Sequence, residues 1–90
     1  MIHVETSKDL QFKHFSGEVQ IHFKNINKVY LNIDEIMRNI YKSLEDVSLL
    51  NFYIYTNDSA DKYRYVESVV HRFMRAAYYD SYEIHFIEIE

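Results

Sequence analysis

The chain has 90 residues, 48% of them apolar and 27% charged, and a formal net charge of −4. That length supports one domain with a modest core, and the excess of acids opposes the wrapping of a phosphate backbone. With one glycine and no cysteine, the chain excludes disulfides, thiolate nucleophiles and Cys-ligated metals, and equally glycine-rich phosphate loops and nucleophile elbows.

The first ten residues carry His3, Glu5, Lys8 and Asp9 among few apolar side chains, which is no signal-peptide pattern. The apolar runs are far shorter than the ~20 residues of a membrane span. A soluble protein of the cytoplasm, or of a host cytoplasm, is the expectation. Ile2–Glu5 is a short candidate strand. Leu10–Phe15 and Glu18–Lys24 are alternating runs separated by Ser16 and Gly17, a tight-hairpin signal. A two-residue loop pairs Leu10 with Phe23, Phe12 with Ile21 and His14 with Val19, which puts the apolar residues together on one face.

Lys28–Leu31 reads as another short strand. A helix follows, with Ile33, Ile36, Met37, Ile40, Tyr41, Leu44 and Val47 at helical spacing. Asn32 and Glu35 are spaced as a capping box at its start. Leu49–Thr56 is rich in branched and aromatic residues and predicts a strand with Leu50, Phe52 and Ile54 on one face. Residues 56–59 offer caps for a second helix. Its apolar stripe is Tyr63, Val66, Val69, Val70, Phe73, Met74 and Ala77, and Arg64, Ser68, His71 and Arg75 form its solvated side. Tyr82–Ile89 predicts a last strand.

The predicted fold is therefore a single α+β domain, residues 1–90. A mixed sheet of four or five strands begins with an antiparallel hairpin and carries two helices on one face, because strand–helix–strand units favour right-handed crossovers. The helix-facing side would hold Leu10, Phe12, Val19, Ile21, Phe23, Leu50, Phe52, Ile54, Ile84 and Phe86. The other side would present Lys13, Phe15, Gln20, His22, Tyr53, Tyr55, His85, Ile87 and Ile89. An apolar patch of that kind marks interaction sites, and tyrosine, nine residues here, suits half-wet interfaces.

The function expected from this pattern is a small acidic binding or regulatory protein acting through protein contacts. The candidate partner-binding residues are Phe15, His22, Tyr53, Tyr55, His85, Ile87 and Ile89 on the sheet, with Arg64 and Arg75 on the second helix. A homodimer through the open face or an edge strand is one form of this. Such a compact, acidic, glycine-poor domain is compatible with an inhibitor or antitoxin-like protein of a phage or mobile element. No catalytic residue, metal or cofactor is expected, since none of the five histidines falls in an H-x-x-x-H spacing.

Two rival readings belong to other classes. The element order, with Tyr55-Thr56-Asn57-Asp58-Ser59 ending the strand after the first helix, faintly resembles the ribonuclease H superfamily. That resemblance covers about half the chain, and it implies a divalent-metal nuclease with Glu5, Glu35 and Asp58 as the nearest matches to its acids. The sequence departs from the family in lacking an aspartate in the first strand and the glycine after it. In the second rival, the arginines of the second helix, or aromatics on the open sheet, serve nucleic acid, or the acidic surface mimics it.

Overall fold

The computed structural model describes residues 10–15, 17–42, 49–56 and 60–88. Six elements follow in order: β1 (Leu10–Phe15), β2 (Glu18–Phe23), α1 (Ile26–Lys42), β3 (Leu49–Thr56), α2 (Ala60–Ala76) and β4 (Tyr82–Glu88). The four strands form one sheet in the order β1-β2-β3-β4. The first pair is antiparallel, and the β2–β3 and β3–β4 pairs are parallel. The mixed α+β sheet expected from the sequence is the fold of the described residues.

The hairpin has the predicted register, with Leu10 opposite Phe23, Phe12 opposite Ile21 and His14 opposite Val19. Gly17 makes the turn at φ 78°, a conformation in which a Cβ would crowd the backbone. Its carbonyl also accepts a hydrogen bond of 3.0 Å from the Leu49 amide, which ties the turn to the start of β3.

The first helix starts earlier than predicted. Residues 28–31 are helical, not a strand, and α1 begins at Ile26. The Asn25 carbonyl accepts from the Lys28 and Val29 amides at 3.1 and 2.9 Å, closing the first turn. Ile26, Val29, Ile33, Met37 and Ile40 are all buried, so the apolar stripe runs on toward the N-terminus through Val29, which lies in the expected strand, to Ile26 before it. Asn32 and Glu35 consequently form no capping box. Asn32 sits mid-helix, its amide donating to the Lys28 carbonyl at 3.3 Å. The helix closes at Lys42; Leu44, Val47 and the Ile2–Glu5 candidate strand lie outside the described residues.

Both helices cover the same side of the sheet. Their buried stripes, with Val66, Val69, Val70 and Met74 from α2, join Leu10, Val19, Ile21, Phe23, Leu50, Phe52 and Ile54 in a single apolar cluster. Side by side, the helices are joined by the Arg72–Asp34 ion pair at 2.9 Å, by Lys62 donating to Asn27 at 2.8 Å and by the Tyr30–Tyr65 edge contact. The predicted helix-facing set is correct in placement, but Phe86 is 45% exposed, on β4 at the edge of the sheet. There Phe86 meets Tyr63 in a T-shaped contact, ring centroids 5.4 Å apart. No helix among the described residues is long and apolar enough to cross a membrane.

Candidate functional site: the open face of the sheet

Strand pairing sorts the side chains of the uncovered face into rows. Cross-strand partners point the same way, so Gln11, His22, Tyr53 and His85 form one row across all four strands. Lys13, Gln20, Asn51 and Glu83 form the next, and Phe15, Glu18 and Leu49 the one beyond. On the other side Tyr55 stands beside Ile87.

The central row is an aromatic ladder. His22 stacks on one face of Tyr53, with ring centroids 4.6 Å apart and planes within 7°. His85 stacks on the other face at 4.8 Å and 20°. These separations equal the ~4.8 Å spacing of neighbouring strands, so the sheet itself sets the stack. Both faces of Tyr53 are taken, and a metal held between the two histidines is ruled out by the ring between them.

Hydrogen bonds hold the ladder in place. His22 is only 6% exposed. Its Nε2 meets Gln20 Oε1 at 3.1 Å, and its Nδ1 meets the Tyr55 hydroxyl at 3.0 Å. Since the amide oxygen can only accept, Nε2 carries the hydrogen, and in the neutral ring Nδ1 accepts from the Tyr55 hydroxyl. Burial, and then Lys13 and Lys24, lower the His22 pKa below its ordinary 6.5. Lys24 also stands 5.8 Å from the Tyr55 ring centroid.

On the β4 side, His85 Nε2 donates to Asn51 Oδ1 at 3.0 Å, and the Asn51 amide donates to Glu18. Glu83 lies 3.6 Å from the same imidazole nitrogen. Asn51, 4% exposed, thus links β2, β3 and β4 by one polar side chain. Among the described residues no buried side-chain nitrogen or oxygen is left without a hydrogen bond.

The expected site residues divide in two. His22, Tyr53, Tyr55, His85 and Ile87 share this face, with exposed Phe15 at its corner. Ile89 lies outside the described residues. Arg64 and Arg75 sit on α2, across the molecule from that face. Arg64 borders a groove of about 340 Å³ with Thr56, Tyr63, Glu67 and Phe86, and Arg75 closes the last turn of the helix. His71 is not centred on a solvated helix side: its Nδ1 and the Tyr82 hydroxyl share a hydrogen bond of 2.6 Å, and Nε2 lies 3.8 Å from Glu67. Glu18 and Asn51 were missed as site residues. Period-two alternation places Asn51 with Tyr53 and Tyr55, but its burial follows only once β3 is known to be a central strand.

Glu5 and Asp58 lie outside the described residues, and Glu35 is exposed on α1. Among the described residues no three His, Asp or Glu side chains converge as a metal site. Comparison with protein-family models, curated proteins and solved structures yields no match.

Proposed function

We propose that this protein is a small binding and regulatory protein that acts by pressing its open sheet face against another protein. The observation that carries this reading is the ladder of His22, Tyr53 and His85, with its rings already fixed by stacking and by hydrogen bonds to Gln20, Tyr55 and Asn51. Rigid aromatic surface loses little side-chain entropy on binding, which is why tyrosine is favoured at interfaces. Exposed Phe15 and half-buried Ile87 add apolar area at the margins.

The same geometry weighs against a nucleic-acid role for this face. Single-stranded bases stack on free ring faces, and both faces of Tyr53 are covered by imidazoles. The net charge of −4 adds repulsion.

The reading is tested with a photo-reactive phenylalanine analogue placed at Ile87 or at Tyr65, an exposed position of α2. Protein adducts should form from position 87 and not from 65, and Tyr53→Ala should reduce them severalfold. Adducts from 65 alone would overturn it.

A further inference from the structure

The open face carries opposite charges at its two edges, with Glu18 of β2, hydrogen-bonded to Asn51, between them. Lys13 on β1 and Lys24 after β2 lie toward one edge, and Glu83 on β4 lies at the other. Lys13 and Glu83 occupy the same cross-strand row, joined through Gln20 and Asn51. We infer that the partner of this face is a second copy of the chain, packed sheet to sheet about a two-fold axis that runs parallel to the strands between β2 and β3. This rests on the open-face reading above and names its partner.

Two kinds of two-fold axis can bring such faces together. An axis across the strands returns each strand onto its own copy, so that the lysine edges gather at one end and the Glu83 edges at the other. An axis along the strands places β1 over the partner's β4, and β2 over the partner's β3. Every row then faces itself in reverse. Lys13 meets the glutamate at position 83 of the other copy, His22 meets its tyrosine at 53, and Gln11 meets its histidine at 85. The charge pattern selects the second arrangement, and because it is isologous each ion pair occurs twice.

The geometry of packed sheets permits this. Face-to-face sheets lie about 10 Å apart, a gap that a lysine and a glutamate reaching from opposite sides can span. They also cross at about 30°. The edge strands stand roughly 7 Å from the axis at a strand spacing of ~4.8 Å, so that rotation displaces them by about 4 Å, within the adjustment of two long side chains. Lys13 is exposed, and the Glu83 side chain is 63% accessible in the single chain. Lys13 and Glu83 both reach solvent; Glu83 stands 3.6 Å from His85 Nε2, and neither takes part in the hydrogen bonds that His22 and His85 make to Gln20, Tyr55 and Asn51.

The test is charge reversal followed by light scattering on a sizing column at low salt. The wild-type chain, 11.0 kDa, should elute with twice its mass. Lys13→Glu and Glu83→Lys should each weaken the dimer about tenfold or more, since each places two like-charged pairs across the interface. The double variant Lys13→Glu/Glu83→Lys should restore it, with circular dichroism showing all four proteins folded.

A wild type monomeric at several hundred micromolar overturns the inference. So does a dimer indifferent to either single reversal, or a folded double variant that stays monomeric. If the wild type is monomeric yet position 87 still forms adducts with a different protein, self-pairing fails and the open-face reading stands. Adducts confined to position 65 sink both.

Discussion

Tyr78 holds a backbone conformation that most residues avoid. Its φ is 54°, in the left-handed region where a Cβ costs about 1–2 kcal/mol. The hydrogen bonds around it explain why. Tyr78 N–H donates to the Arg75 carbonyl and Tyr79 N–H to the Met74 carbonyl, at 3.0 and 2.9 Å, the pattern of a Schellman cap in which glycine usually occupies this place. The side chain is 96% exposed, so little packing is lost with it. Tyr78→Gly should therefore stabilise the fold by about 1 kcal/mol, raising Tm by roughly 4–8 °C in a domain of this size; an unchanged or lower Tm in a thermal melt would refute the strain. His22 makes a second prediction. Burial and the two lysines depress its folded pKa below 6.5, so below pH 6.5 the unfolded chain binds the proton more readily than the folded one. Stability is then complete above pH 6.5 and falls with pH until the folded pKa is passed. Over melts between pH 7.5 and 5, His22→Gln should flatten that decline relative to wild type, whereas parallel curves would contradict the assignment.

Among the elements, the hairpin was legible and the start of α1 was not, for reasons the residues make clear. A period of two and one glycine determine β1 and β2, because a slip by one residue would turn Phe12 and Ile21 to the wrong face. Val29, Tyr30 and Leu31 are β-prone, and the Asn32–Glu35 spacing imitates a helix start. Burial decides otherwise, since Ile26 and Val29 extend the stripe that packs on the sheet. The difference can be measured. In a strand Val29 and Leu31 would share one face, but in α1 they lie about 200° apart, with Val29 buried and Leu31 76% exposed. Val29→Ala should cost about 2 kcal/mol and Leu31→Ala less than about 0.5 kcal/mol in urea unfolding. Comparable costs would restore the strand. In the sheet, Asn51→Ala removes partners from both His85 and Glu18 and should cost about 1–3 kcal/mol; a neutral result in the same assay would show that the Asn51 network contributes little.

The whole molecule has two unlike sides. Both helices bury one face of the sheet, leaving the other to a ladder of rings with Lys13 at one edge and Glu83 at the other. Alternation within Leu49–Thr56 and Tyr82–Glu88 was enough to place Tyr53, Tyr55, His85 and Ile87 on the uncovered side. Stacking was not legible, because it depends on β3 lying between β2 and β4, and strand order is a property of the crossovers rather than of any one segment. The arginines of α2 were grouped with the sheet residues on charge alone, and the topology separates them. The most direct measurement is an amide chemical-shift titration of isotope-labelled protein, either against its own concentration or against a partner captured through position 87. Shifts should concentrate at Lys13, Gln20, His22, Tyr53, His85 and Ile87, leaving Leu31, Arg64, Tyr65 and Arg75 unmoved. Shifts gathered on the two helices, with the ladder silent, would contradict the open sheet face as the binding surface.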